Sequence, residues 1–200
     1  HALVRARAKG YTVPEPVMTR ALTYLRNVPG NLPAWYPADV KRALQSYALY
    51  VRSLAGEPRA AGDLRRFLTE TPADSLTVEE MGWMLSASAS DASLALQRAE
   101  MLRRVNNRAT ETPSTATFAT HYSEGEYLLL HSQRRTDGVL LDALLATQPD
   151  NPLVPKVVRG LLGKSPPTGK VAEVAVDATL KDHAEAMGVE WDPAEVRPVA

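Results

Sequence analysis

Val40-Lys41-Arg42-Ala43-Leu44-Gln45-Ser46-Tyr47-Ala48-Leu49-Tyr50-Val51-Arg52-Ser53-Leu54 is the stretch that decides the fold class. Val40, Leu44, Tyr47, Ala48, Val51 and Leu54 recur at helical spacing, which predicts a helix over residues 38–55 with these side chains turned inward. Gly56 stops it and Pro58 follows. The same periodicity returns on both sides. Residues 15–28 place Val17, Ala21, Leu25 and Val28 on one face, and residues 59–70 do so with Leu64, Phe67 and Leu68. Thr77 and Glu80 have capping-box spacing and open a helix carrying Val78, Met81 and Leu85. A further helix is predicted from Asp91 to Val105, with Leu94, Ala95, Ala99, Met101, Leu102 and Val105 as its stripe. Leu140, Leu141, Leu144 and Leu145 mark another over 136–147. Asn151 and Pro152 form an N-cap and first-turn pair ahead of Val154, Val157, Val158 and Leu161.

One region breaks the pattern. Over 108–132, Thr110, Thr112, Ser114, Thr115, Thr117 and Thr120 surround Ala116, Phe118 and Ala119, a composition that favours extended backbone over helix. With the short apolar run from Tyr127 to His131, this predicts two short strands, or a strand and an irregular loop, joined at Ser123-Glu124-Gly125. The expected fold is therefore mainly α: an array of α/α helical hairpins, with a short β element near 112–131. No strict period defines a repeat family. Lys164-Ser165-Pro166-Pro167-Thr168-Gly169 reads as a linker. It divides the chain into a helical region, 1–163, and a tail, 164–200, with one expected helix from Asp177 to Met187 closed by Gly188.

Composition narrows the function classes. The 200 residues hold 23 Lys and Arg against 23 Asp and Glu, so no net charge draws the chain to nucleic acid. The absence of cysteine excludes disulfides, thiolate metal sites and cysteine nucleophiles. No apolar run approaches the roughly 20 residues of a membrane span. No signal peptide is visible, and the start at His1 reads as a mature or trimmed product, which leaves room for an export signal removed from it.

Each residue type that carries chemistry also has a plainer reading. His121 and His131 with Glu124 or Glu126 supply donor types that suit zinc, but the intervals match no metal spacing, so they are read as polar loop decoration. His183 and Glu185 match half of the zinc-deaminase signature, whose cysteines are missing, and are read with Asp182 as a solvated helix face. There is no Gly-x-Ser-x-Gly elbow, and Gly163-Lys164-Ser165 has Val158 where a phosphate loop needs its first glycine. Glu79 and Glu80 are explained by capping and the helix dipole, and the pairs Arg103-Arg104 and Arg134-Arg135 by solvated helix ends. Met81, Trp83, Met84 and Leu85 read as core. A toroid-type glycosidase or cyclase would need an acidic cluster, for which Asp137, Asp142, Glu124 and Glu126 are the local supply. No catalytic, cofactor-binding or metal-binding residue is assigned.

Three stretches carry a family resemblance. They are Asp74-Ser75-Leu76-Thr77-Val78-Glu79-Glu80-Met81-Gly82-Trp83-Met84-Leu85; Ala116-Thr117-Phe118-Ala119-Thr120 through Arg134-Arg135-Thr136-Asp137-Gly138-Val139-Leu140-Leu141-Asp142-Ala143-Leu144-Leu145; and Pro152-Leu153-Val154-Pro155-Lys156-Val157-Val158-Arg159-Gly160-Leu161-Leu162-Gly163. Together they resemble the thioester-containing helical domain of bacterial alpha-2-macroglobulins over about residues 15–163. The resemblance implies an α/α toroid-like array of helical hairpins, incomplete as a ring, with inner and outer helices alternating around an axis, a periplasmic or cell-envelope location, and a parent molecule that traps proteases after cleavage of a bait segment. Partners would be other macroglobulin domains or a protease. The family's thioester forms within Cys-x-Glu-Gln, which this chain lacks, and its Trp-Gly and Thr-Gln-Glu-Asn motifs have no counterpart after Gly163. The implied role is a non-enzymatic, protein-binding domain or fragment, without cofactor. A free-standing α/α interaction module is the alternative.

Overall fold

Pro14, Pro37 and the Thr77 hydroxyl set the starts of three helices. Both prolines stand in extended backbone at the N-cap, ψ 132° and 153°, where the missing N–H is no loss. Thr77 accepts the Glu80 N–H, and Glu80 reaches back to the Thr77 N–H, so the predicted capping box is formed. The computed structural model describes residues 1–120 and 128–163. Within them the α-helices are α1 (Ala2–Ala8), α2 (Glu15–Arg26), α3 (Val28–Asn31), α4 (Ala38–Leu54), α5 (Ala60–Glu70), α6 (Val78–Ser88), α7 (Ala95–Asn107), α8 (Gln133–Thr147) and α9 (Leu153–Gly163). None is long and apolar enough to cross a membrane. The predicted tail, 164–200, and the predicted junction at 123–125 lie outside the described residues.

The mainly helical expectation holds, with shifts that packing explains. The 136–147 helix begins earlier, at Gln133, because the Ser132 hydroxyl caps the Arg135 N–H. Asn151 caps the Leu153 N–H, as its position predicted. In α2 the deepest side chain is Met18, beside a half-buried Val17, Ala21 and Leu25. In α4 the burial runs almost all round, taking in Ser46, Leu49, Tyr50 and Arg52 with the predicted stripe, while Leu54 is left exposed. That is the signature of a helix covered from several sides, and α2, α3, α5 and α6 all pack on it. Ala95 and Ala99, placed on the stripe of α7, are exposed; Leu94, Met101, Leu102 and Val105 hold its core side.

The β element forms, but upstream of its expected place. Strands β1 (Ala109–Glu111) and β2 (Ala116–Phe118) pair antiparallel, with Ala109 opposite Phe118 and Glu111 opposite Ala116. The turn is 112–115, closed by the Thr112 N–H on the Thr115 carbonyl at 2.8 Å and by the Thr115 N–H on the Thr112 hydroxyl at 2.9 Å. Threonine side chains thus make the turn themselves. Leu128 and Leu129 form part of a tight helical turn, not a strand.

The helices pack side by side. α4, α6 and α8 form a contiguous row, α6 lying between the other two, and α9 continues beside α8. α5 bridges α4 and α6, and α7 flanks α6. The tightest meeting, α6 on α8, depends on Gly82, where a Cβ would come within 2.7 Å of Val139 Cγ1. At Gly160 of α9 a Cβ would stand 2.8 Å from the Ala116 carbonyl oxygen, so the hairpin and α9 touch backbone to helix. Met81, Trp83, Met84 and Leu85 sit in the core as predicted, with Leu140, Leu144, Phe118 and Val157.

Candidate functional site

Consecutive residues on an α-helix point roughly 100° apart. At the start of α6 this aims Glu79 and Glu80 at two different neighbours, and both carboxylates are buried. Glu80 faces α4, where Arg42 donates from Nε at 3.0 Å and from Nη2 at 3.4 Å. Burial pushes the Glu80 carboxyl above its usual value, and the Thr77 and Arg42 donors oppose that push. Glu79 faces α8, where Arg135 donates from Nε at 2.6 Å and from Nη2 at 2.9 Å to the two carboxylate oxygens. This is a bidentate fork, the strong geometry for guanidinium and carboxylate. His131 Nδ1 stands 2.8 Å from Glu79 Oε2 and 3.0 Å from Arg135 Nη2.

Arg135 serves a second purpose. Its Nη1 donates to the carbonyls of Leu129 at 2.7 Å and Leu130 at 3.2 Å. Leu130 has φ +51°, unfavourable for a leucine, and the guanidinium holds the turn there. Burial lowers the pKa of His131, Arg135 lowers it further, and the Glu79 charge only partly restores it.

Two further acids follow on α8. Asp137 is buried and accepts from the Thr117 hydroxyl at 2.9 Å, the Phe118 N–H at 3.0 Å and Gln133 Nε2 at 2.9 Å. It therefore ties strand β2 to α8. Asp142 lies on another side, accepting from the Tyr50 hydroxyl at 3.1 Å and the Ser86 hydroxyl at 3.5 Å, with Arg5 at 3.9 Å. Burial and the Asp142 charge raise the Tyr50 pKa well above the ordinary phenol range. Tyr50, Tyr47 and Trp83 form an aromatic group beside this acid, with Tyr47 and Trp83 rings 5.0 Å apart.

These positions correct several sequence expectations. Glu80 caps α6, but capping and dipole do not account for Glu79, whose partners come from 52 and 56 positions away. Arg135 is not a solvated helix end, since it is bound to Glu79 and to two carbonyls. His131 is not loop decoration; its side chain is 7% exposed. Arg103 and Arg104 both bind Glu100 on the surface of α7, in keeping with a helix end. Asp137 and Asp142 do not form one acidic cluster, and their supposed companions Glu124 and Glu126 lie outside the described residues, as do His121, His183 and Glu185. Among the described residues no three His, Asp or Glu side chains converge as a metal site requires.

Sequence reasoning also missed a buried charge group at the end of α4. Arg52, 3% exposed, donates to Glu57 at 2.8 Å and to Asp63 at 2.6 Å, and Arg26 donates to Glu57 at 2.6 Å. Burial alone would raise the Glu57 carboxyl, but the hydrogen bonds from Arg52 and Arg26 outweigh it and hold Glu57 below its usual value. The one available signal was an arginine inside an apolar stripe.

In chemical terms, the Glu79 carboxylate is filled by two guanidinium nitrogens and an imidazole. A carboxylate so occupied joins elements and leaves little capacity to move a proton on a substrate. Glu79 joins α6 to α8, Glu80 joins α6 to α4, Asp137 joins α8 to β2, and Asp142 joins α8 to α4. The arrangement is suited to holding a surface in one shape. No protein-family model, no curated protein and no solved structure matches this chain.

Proposed function

We propose that this chain is a non-catalytic helical domain, or part of one, from an alpha-2-macroglobulin-like protease-trapping protein of the cell envelope, and that it acts through protein–protein contacts. What supports this reading is one relationship. The three stretches that resemble the macroglobulin helical domain become α6, β2 with α8, and α9, and these elements pack on one another as a single body. The contiguous row α4–α6–α8, with α5 and α7 to its side, has the alternation that an inner and outer helix layer needs. The lack of cysteine removes the thioester chemistry of the family from this chain, so any part in trapping is by contact.

The decisive observation is the complete reading frame of the gene. A Cys-x-Glu-Gln segment preceded by macroglobulin domains is the expected result. A short isolated gene overturns the proposal and leaves the free-standing α/α interaction module, which the same packing supports.

A further inference from the structure

Residues 128–131 are tied to the helices mainly through polar contacts. Leu128 and Leu129 are half-buried and Leu130 is 83% exposed, while the His131 side chain is inserted to 7% exposure. Leu130 sits at φ +51°, a left-handed conformation that costs a leucine free energy unless its surroundings hold it. Arg135 Nη1, donating to the carbonyls of Leu129 and Leu130, and the His131 ring, lying against Glu79, hold it there. The next residue, Ser132, already belongs to the start of α8. Its hydroxyl accepts the Arg135 N–H at 3.1 Å, so the cap of α8 does not involve the imidazole.

The ring is placed where its charge state matters. His131 Nδ1 is 2.8 Å from Glu79 Oε2 and 3.0 Å from Arg135 Nη2, and Nη2 itself donates to that same Oε2 at 2.9 Å. A neutral ring with its proton on Nε2 accepts from Nη2 through Nδ1. A protonated ring cannot, because both its nitrogens carry hydrogen, and the 3.0 Å contact becomes cation against cation. Two cations then compete for one oxygen of a buried carboxylate. Arg135 has the stronger hold, since its Nε bond to Oε1 at 2.6 Å and its Nη2 bond form a fork, whereas the imidazole faces Glu79 with one nitrogen. Among the described residues the charges acting on the ring are Glu79 of α6 and Arg135 of α8. Tyr47 of α4 feels both of them, and Glu80 is turned away toward Arg42.

We propose that His131 is a pH-sensitive latch on the 128–131 turn: when the ring takes up a proton it leaves Glu79, the Arg135 fork stays, and the turn opens while α6 and α8 remain packed. Opening is local because the segment has little to lose. None of Leu128, Leu129 and Leu130 is buried, and release lets Leu130 return to negative φ. Arg135 Nη1 exchanges the two turn carbonyls for water, which the 36% exposure of its side chain allows. The α6–α8 contact rests on Gly82, on Leu140 and Leu144, and on the Glu79–Arg135 fork, none of which needs the imidazole. The latch is independent of the macroglobulin reading, and it confines the acid response to four residues rather than to the whole fold.

The test follows the full chain by nuclear magnetic resonance from about pH 8 down to about pH 5, the range in which a histidine titrates. The Leu130 Cα and Cβ shifts are expected to move from left-handed to extended values with the same midpoint as the His131 ring protons, while the amides of Met84 and Leu140 keep their protection from exchange. His131→Gln is expected to show one Leu130 conformation across the range, because an amide does not titrate. Leu130→Gly removes the backbone strain without touching the ring, so the latch is expected to stay shut to lower pH, its midpoint, read from the ring protons, falling by about half a unit. The proposal is overturned if Leu130 keeps its left-handed shifts while the ring titrates, if they still titrate in His131→Gln, or if Leu130→Gly leaves the midpoint unchanged or raised. Loss of protection at Met84 and Leu140 with the same midpoint also overturns it, since acid would then be unfolding the helices together.

Discussion

Glu79 and Arg135 stand 56 positions apart and meet through two parallel hydrogen bonds, Nε to Oε1 at 2.6 Å and Nη2 to Oε2 at 2.9 Å. The pair fastens the first turn of α6 to the first turn of α8, at the most extensive helix contact among the described residues. Its asymmetry matters, since the Glu79 side chain is 2% exposed and that of Arg135 is 36%. The acid therefore depends on the cation more than the cation depends on the acid.

Arg135→Ala is expected to destabilise the protein by about 3 kcal/mol, at the low end for a broken buried pair because water reaches the arginine side. Combining it with Glu79→Gln should recover part of the loss, since a neutral amide is easier to bury than an unpaired charge. Chemical denaturation of the two single variants and the double variant measures both quantities. Equal stability of Arg135→Ala and the double variant would show that the carboxylate is not stranded.

His131 makes the fold sensitive to mild acid. Its folded pKa is lowered from 6.5, so between the folded value and 6.5 the unfolded chain binds more protons than the native one. Stability is then fully present above about pH 6.5 and falls as pH drops through that window, levelling once His131 is protonated in both states. The unfolding free energy of the unaltered chain should decline as pH falls below about 6.5. The same curve for His131→Gln should be flatter there. Parallel curves would remove His131 as the cause.

The two close glycines should respond differently. At Gly160 an added Cβ meets the Ala116 carbonyl oxygen at 2.8 Å, and that oxygen belongs to the paired hairpin and cannot rotate away. Gly160→Ala is expected to lose about 1–3 kcal/mol. At Gly82 the added carbon meets side-chain atoms of Val139 and Leu140, which can shift by a few tenths of an ångström, while the helix propensity gained by alanine is common to both sites. Gly82→Ala should cost less than Gly160→Ala by thermal or chemical unfolding.

Any association with a protease should be non-covalent. A thioester needs a cysteine sulfur to carry the acyl group, and the chain has none. Incubation with an active protease, followed by boiling in detergent, is expected to leave no high-mass adduct, and methylamine treatment beforehand should change nothing. An adduct that survives boiling and is suppressed by methylamine would reveal an electrophile within the chain.

The helices were legible in the sequence because their signals are local. Val40, Ala48 and Val51 repeat at the helical period, and Thr77 with Glu80 marks a start within four residues. A hydrophobic stripe is enough to fold a segment onto a core, so the mainly α class followed without knowing any partner. The β element was recognised by its threonines but placed too late, because Thr112 and Thr115 bond to each other and turn the chain between Glu111 and Ala116, before the expected junction. Helix α1 (Ala2–Ala8) carried no stripe long enough to notice; the tertiary structure sets His1 against Tyr47 and Tyr50, and Arg5 near Asp142.

The candidate site was invisible for a physical reason. Whether Glu79 is a solvated helix-start acid or a buried anchor depends on what stands opposite it, and its partners, His131 and Arg135, arrive only when α8 packs on α6. The same holds for Glu80 with Arg42 and for Asp142 with Tyr50. Sequence by itself determined that the chain is mainly helical, where most of the longer helices of residues 15–163 run and which chemistry is excluded by the missing cysteine. Only the tertiary structure decided which charges are buried and to what they are bound, because charge pairing and desolvation are properties of surroundings assembled from distant parts of the chain.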